Sequence, residues 1–128
     1  MRRGEAFGRA LERDVSRGPG AVVDFAALAP FVWDRCLVVA AYGSRDAAGR
    51  ALGLRWRDSA RTATPDNDAF VLVIFALGDS VIAWHDQPRR PDLAGVARGA
   101  PYRRAEARFR VDSAPGNGPG WMRLRPVE

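Results

Sequence analysis

The stretch Phe70-Val71-Leu72-Val73-Ile74-Phe75-Ala76-Leu77, followed by Gly78-Asp79, decides the fold. Eight consecutive apolar residues rich in β-branched and aromatic side chains are typical of a buried strand, and the run is too short to span a bilayer. Gly78-Asp79 is a two-residue hairpin turn, and Val81–Asp86 follows it as a returning strand. The centre of the chain is therefore predicted to be an antiparallel hairpin.

A second strand and a short helix are predicted immediately before this hairpin. The apolar run within Arg35–Tyr42 is continuous, which is typical of a strand covered on both faces. Ser44 is the right residue type to cap a helix over Arg45–Leu52, and Gly53 can end that helix in the left-handed conformation. We expect the helix to pack on the sheet.

The N-terminal segment 1–20 is predicted to be a helix and a turn. Apolar residues recur every fourth position within residues 3–16, at Phe7, Leu11 and Val15, which gives the helix one apolar face. The following Arg17-Gly18-Pro19-Gly20 ends it. Two weaker signals lie further along: Asp24 can cap a short helical turn, and the alternating Leu54–Arg57 predicts a short edge strand.

The C-terminal third is predicted to be a second hairpin. Apolar and charged residues alternate over Ala105–Asp112 and over Trp121–Val127, and the Gly/Pro-rich segment 113–120 between them is predicted to be a flexible loop. We assume that the strands pair symmetrically about this loop. The predicted partners are then Val111 with Met122, Phe109 with Leu124, Asp112 with Trp121, Arg110 with Arg123 and Arg108 with Arg125.

This register places four arginines and a tryptophan on one side of the hairpin. It motivates the hypothesis that they form a binding surface: Arg108, Arg110, Trp121, Arg123 and Arg125. Like charges that face each other across two strands are destabilising, so such a side favours an anionic partner. We expect an acidic protein or another anionic ligand. The alternative is that Glu106, Asp112 and Glu128 neutralise the arginines and the side merely faces water.

Together these elements predict a single α+β domain over residues 1–128. It contains a mainly antiparallel sheet of four to five strands, with an N-terminal helix and one short helix packed on it. The length and the 47% hydrophobic share are enough for one ordinary core.

The composition excludes several kinds of chemistry. All 20 basic residues are arginine, so a Schiff-base lysine and a P-loop lysine are excluded. One cysteine and one histidine cannot form an internal disulfide, a zinc–thiolate cage or a multi-histidine metal site. We therefore predict neither a cofactor nor a metal. The 15 acidic residues leave a formal charge of +5, which suits an acidic partner.

No segment is long and apolar enough to predict a membrane span or a signal peptide. The charged N-terminal helix, as written, predicts a cytoplasmic protein. The envelope or periplasm is the alternative, if an export signal has been removed.

One candidate set for catalysis is present. His85 with Asp34 or Asp86 could supply an acid and a base, which would make the protein a small hydrolase-like enzyme. Cys36 could act as a nucleophile only if it were exposed, and its place in an apolar strand instead predicts a buried, inert thiol.

Nucleic-acid binding is a further alternative. Arginines and tryptophans are interleaved around Trp56 and Trp121, a combination that can follow a single strand by stacking and phosphate contacts. Acidic residues occur throughout the chain, however, and Trp56 could equally be a core residue. A nucleic acid is therefore the less favoured partner.

The order of several short motifs resembles a family of small uncharacterised bacterial proteins that are often exported or lipid-anchored. The resemblance covers residues 24–93 and is carried by Phe31-Val32-Trp33-Asp34-Arg35 before an apolar strand and Tyr42, by Leu52-Gly53-Leu54-Arg55-Trp56, by Leu72-Val73-Ile74-Phe75, by Val81–Trp84 with Pro88-Arg89, and by Asp92-Leu93.

The resemblance implies a fold but no activity. It marks seven positions for testing, one of them outside the family pattern: Trp33, Asp34, Tyr42, Trp56, His85, Pro88 and Arg89. A further hypothesis is that Asp34 acts as a cap or pairs with Arg89. The chain departs from the family pattern because it has no lipid-attachment cysteine and has Ala41 where the family has proline.

These observations favour a non-catalytic binding module that contacts a protein or an envelope component through an arginine and aromatic surface.

Overall fold

The computed structural model describes residues 2–40, 45–56 and 69–127, and within them it shows an α+β fold with two antiparallel sheets. The predicted fold class is confirmed. The helices are α1 (Arg2–Val15), α2 (Phe25–Leu28) and α3 (Arg45–Leu52). The strands are β1 (Val22–Asp24), β2 (Arg35–Val39), β3 (Phe70–Leu77), β4 (Ser80–Pro88), β5 (Tyr102–Arg103), β6 (Arg108–Ser113) and β7 (Met122–Pro126).

The strands are divided between a four-stranded sheet, in the order β4-β3-β2-β5, and a three-stranded sheet, in the order β1-β6-β7. The predicted central hairpin forms the middle and one edge of the larger sheet, with Leu77 paired to Ser80 across Gly78-Asp79. β1 and β5 contain three and two residues, and segments this short leave no periodic signal in a sequence.

The two faces of β3 belong to two different hydrophobic clusters. Val71, Val73 and Phe75 point into the main core. The residues between them point to the opposite face and pack with Leu52 of α3 and with Trp56. Because side chains alternate along a strand, burial on both faces produces the continuous apolar run seen in the sequence.

Aromatic rings meet at Phe75 in the main core. Its ring centroid lies 4.9 Å from Phe7 of α1, 5.2 Å from Phe31 and 5.0 Å from Trp33, in each case edge to face. This geometry is favourable for aromatic pairs beyond the area that they bury. The N-terminal helix is thereby attached to the centre of the sheet.

Two glycines let α1 lie close to β4. A Cβ atom added to Gly4 would be 1.9 Å from the carbonyl oxygen of Trp84, and one added to Gly8 would be 2.4 Å from Nε2 of His85. No real Cβ atom fits at such distances. The absence of side chains at these two positions therefore sets the spacing between helix and sheet.

Several local predictions are confirmed, and one is wrong. The Asp24 carboxylate accepts a hydrogen bond from the Ala26 N–H at 3.0 Å, so it caps α2. The helix α3 has the predicted bounds, and Gly53 follows it with a φ of 73°. Residues 54–56 form no strand, because Trp56 turns into the second core instead. Tyr42, the proposed cap Ser44 and Arg57 lie outside the described residues.

The C-terminal hairpin forms with a register two residues away from the predicted one. Val111 pairs with Leu124, Asp112 with Arg123 and Ser113 with Met122. The turn is asymmetric, since a 3-10 turn fills residues 115–117 and Gly118 and Gly120 adopt φ values of 138° and 78°. An even shift preserves which side chains point inward, so Phe109, Val111 and Leu124 are buried as expected.

Candidate functional site

The outward side of β6 and β7 carries the four predicted arginines. Arg108 and Arg110 alternate with buried residues of β6, and Arg123 and Arg125 flank the buried Leu124 of β7. Arg110 pairs directly with Arg125, so two like charges face each other across the strands. We call these four residues the arginine face.

The arginine face is only partly neutralised. Asp112 accepts a hydrogen bond from Arg123 Nη2 at 3.1 Å and lies 3.7 Å from Arg125 Nε. The hydrogen bond from Arg123 holds the pKa of this carboxyl below its usual value. Glu106, which could also have neutralised the face, pairs with Arg103 instead, 3.2 Å away.

The other two arginines of the face have no carboxylate partner within the described part of the chain. Arg110 donates a hydrogen bond to the Gly20 carbonyl oxygen at 3.1 Å, which leaves its positive charge uncompensated. Arg108 is exposed and forms no ion pair with a described residue. Asp24 of β1 lies directly across from Arg108, so the described part of this side carries two aspartates, Asp24 and Asp112, against four arginines. Glu128, the third acidic residue of the alternative, lies outside the described residues. Among the described residues, the face therefore keeps a net positive charge.

A cleft of about 500 Å³ opens beside the end of β7, where Trp121 immediately precedes the strand. Its lining consists of Ala69, Pro88, Arg89, Arg90, Asn117 and Trp121. The structure thus brings together Trp121, predicted as a binding residue, with Pro88 and Arg89 from the motif positions. The volume lies within the range of small-ligand pockets.

Arg90 was missed by the sequence analysis, although it follows directly on the marked Pro88-Arg89 pair. Its guanidinium carbon lies 5.1 Å from the centre of the Trp121 ring. Its only hydrogen-bond contact with a described residue is a long one, 3.5 Å, to the Pro119 carbonyl oxygen. Arg90 is therefore an exposed cation held over an aromatic ring without a carboxylate partner in the described chain.

Asp92 lies beside the cleft and binds two of the residues that line it, Arg89 and Asn117. Its carboxylate pairs with Arg89 through two contacts of 2.8 and 3.2 Å and also accepts hydrogen bonds from the Ala94 N–H and the Asn117 amide. Burial opposes ionisation here, but these donors outweigh it and lower the pKa of Asp92. Arg89 is thus paired with Asp92, and the hypothesis that Arg89 pairs with Asp34 is wrong.

Asp34 fastens the central hairpin. One carboxylate oxygen accepts the Gly78 N–H at 2.8 Å, and the other accepts a hydrogen bond from Arg35 at 2.7 Å. Arg35 in turn donates to the Gly78 carbonyl oxygen. The hydrogen bond from Gly78 is the main reason that the pKa of Asp34 is lowered. Both oxygens are therefore used in holding the turn.

His85 lies under α1, in contact with Gly8. Its Nε2 is 2.8 Å from Oε1 of Gln87, which is completely buried and bonds onward to the Pro88 carbonyl oxygen. Burial lowers the pKa of His85. Asp86 follows it on the strand and so points to the other face, while Asp34 is occupied at the hairpin turn. The structure does not assemble the proposed acid and base.

Cys36 is a core residue with no exposed surface. Its burial raises the pKa of the thiol to about 12, so at neutral pH the reactive thiolate is essentially absent.

The tryptophans at the remaining motif positions belong to the two cores. Trp33 is 2% exposed and lies beneath Arg104, and Trp56 packs edge to face on Trp84 with ring centroids 6.4 Å apart. Trp56 therefore offers no stacking surface to a single strand. Of the residues that suggested nucleic-acid binding, Trp121 alone keeps a partly open ring among the described positions.

Comparisons with protein-family models, with curated proteins and with solved structures find no match for this chain. Among the described residues, no cluster of histidine, cysteine and carboxylate side chains is arranged to hold a metal ion. None of the described helices combines the length and the apolar character needed to cross a bilayer. The resemblance to the small bacterial family stays a prediction.

Proposed function

We propose that this protein is a binding module without catalysis, and that it contacts an acidic partner protein through the arginine face. The observation that carries the proposal is the direct pairing of Arg110 with Arg125 on the outward side of β6 and β7, where Arg110 has no carboxylate partner among the described residues. Rigid strands hold these charges at fixed spacing, which favours a partner with complementary negative charge.

The environment of the candidate nucleophile and base supports a role in binding. The Cys36 thiol is buried and protonated, and the His85 imidazole is bonded to Gln87 under a helix. A general base must come within hydrogen-bond reach of the group that it deprotonates. Both side chains are enclosed by neighbouring elements, whereas the arginine face lies on the outward side of its sheet.

The proposal is tested by direct binding of a defined acidic probe. A fluorescent peptide of ten glutamates is titrated with the wild-type protein and with the double variant Arg110→Ser/Arg123→Ser at low salt. We expect the double variant to bind about tenfold more weakly, because two of the four charges are removed. Added salt should weaken wild-type binding, since these charges are exposed.

A matched control separates the arginine face from the net charge. Arg9→Ser/Arg13→Ser removes two exposed arginines of α1 and gives the same total charge as the double variant. It should bind the peptide nearly as well as wild type. Equal weakening in both double variants, or no binding of the peptide by wild type, would contradict the proposal.

Single-stranded nucleic acid is the competing partner. A mixed-sequence oligonucleotide carries one negative charge per nucleotide, and it adds bases that can stack on Trp121. Tight oligonucleotide binding by a protein that ignores the acidic peptide would replace the proposed partner class.

A further inference from the structure

We infer that the cleft at Trp121 receives a large apolar side chain that neighbours a carboxylate in the acidic segment of the partner. The inference rests on the proposed function and adds to it the chemistry of the segment that binds. It identifies the cleft, which lies outside the arginine face itself, as the part of the surface that selects one acidic sequence over another.

The position of the cleft makes it continuous with the arginine face. Trp121 immediately precedes β7 and has the same side-chain parity as Arg123 and Arg125. Behind the cleft, the backbone of Asp92 bonds to Met122 and Leu124 along the edge of β7. An extended acidic segment that lies along the arginines of β7 would therefore reach the cleft at the beginning of the strand.

The lining of the cleft combines apolar walls with one available cation. Pro88, Ala69 and the Trp121 ring provide the apolar surface. Of the two arginines in the lining, Arg89 is held by Asp92 in a two-contact ion pair. Arg90 has no such partner among the described residues and lies over the Trp121 ring. An occupant with an apolar group and an adjacent negative charge matches both features.

Arg90 also forms part of the wall of a second, smaller cleft of about 230 Å³, which Glu12, Pro91 and Met122 help to line. Glu12 is a carboxylate in this second lining but forms no ion pair with Arg90. The cation of Arg90 therefore stays free to meet a carboxylate from the side of the larger cleft.

Competitive binding of three peptides tests the inference in the full chain. The first has nine residues with eight glutamates around a central phenylalanine, the second replaces this phenylalanine with serine, and the third keeps it but replaces every glutamate with serine. We expect wild type to bind the first about tenfold more tightly than the second, because a phenylalanine side chain leaves water. The third peptide should not bind measurably.

Variants locate this preference in the cleft. Trp121→Ala and Arg90→Ser should each reduce the tenfold preference to less than about threefold. Arg90 is exposed, so its replacement tests the cleft even if loss of the tryptophan ring harms folding. By contrast, Arg110→Ser/Arg123→Ser should weaken the first two peptides by the same factor and leave their ratio unchanged.

The failures of the two proposals are distinguishable. Equal binding of the phenylalanine and serine peptides, both weakened by Arg110→Ser/Arg123→Ser, would overturn the cleft assignment and leave the arginine face in place. A preference for phenylalanine that survives both cleft variants would also overturn the assignment. If no acidic peptide binds at all, the proposed function itself is overturned.

Discussion

The two sheets of this protein differ in how many of their faces are covered. The larger sheet is buried on both faces, by α1 and the smaller sheet on one side and by α3 and Trp56 on the other. The smaller sheet contributes one face to the core and keeps the arginine face in water. The side chains that suggested chemistry, Cys36 and His85, lie in the covered sheet, while those that suggested binding lie on the open one.

This difference shows in which part of the molecule the type of a residue is a good guide to its function. In a sheet covered on both faces, a reactive side chain is usually buried by packing, as Cys36 is. On a sheet with one open face, a charged side chain needs no partner inside the protein and is available to another molecule. The following predictions probe this contrast, beginning with the largest expected effect.

Phe75→Ala should cause the largest loss of stability, because four aromatic rings surround this side chain on the inner face of the covered sheet. We expect the free energy of unfolding to fall by about 3–5 kcal/mol, as measured by urea denaturation. Leu77→Ala is the matched control, since Leu77 lies two residues further along the same strand and is 40% exposed. Equal losses for the two variants would place the core elsewhere.

Gly4→Ala should destabilise the protein by about 1–3 kcal/mol, although alanine normally favours a helix by up to about 1 kcal/mol. The added methyl group would collide with the Trp84 carbonyl oxygen and push α1 away from β4. Gly116→Ala adds the same group in open space and should leave the thermal midpoint nearly unchanged. A stabilised Gly4→Ala variant would show that α1 does not touch the covered sheet there.

His85→Gln should alter the dependence of stability on pH. Burial lowers the folded-state pKa of His85 below the unfolded value near 6.5, so in this range the unfolded chain binds the extra proton. The neutral ring therefore makes its full contribution to the free energy of unfolding above pH 6.5, and this contribution declines as the pH falls below that value. Wild type should lose up to about 1.4 kcal/mol per pH unit more than the variant in this window.

The measurement is a pair of denaturation series between pH 8 and pH 5, in which the carboxylates common to both proteins cancel in the difference. The negative charges of Asp86, Glu12 and Glu5 act on His85 through space and favour its protonation, so they reduce this loss without reversing it. Parallel curves for the two proteins would mean that the ring is not buried under α1.

Arg108→Ser should have the smallest effect, a change within about 0.5 kcal/mol in the free energy of unfolding. Arg108 is exposed on the open face and forms no ion pair with a described residue, so its removal breaks nothing. A loss comparable to that of Gly4→Ala would show that the arginine face is part of the packing and would weaken its role as a binding surface.

The sequence was sufficient to predict the elements with strong patterns. Burial on both faces produces the apolar run Phe70–Leu77, and burial on one face produces the alternation in β6 and β7. These strands, and the two-residue turn after the first, are present in the structure. The C-terminal register was wrong because it depends on backbone angles at Gly118 and Gly120. Because glycine tolerates many backbone conformations, the sequence does not predict which one each glycine adopts.

The candidate site could be predicted only in part. Four arginines on one side of a hairpin follow from alternation, and an even shift of register does not disturb them. The cleft depends on contacts between distant segments, such as Arg90 with Trp121 and Asp92 with Asn117. The periodicity of a sequence does not predict which loop packs on which strand, so these contacts are found only in the folded structure.

The backbone of Asp92 has a consequence for the behaviour of the protein in solution. Its N–H and carbonyl groups bond to Met122 and Leu124, so the outer rim of β7 is already occupied. A vacant rim would be a template on which further chains could add strands, leading to aggregates. Because Asp92 occupies these positions, another strand cannot add to β7 there.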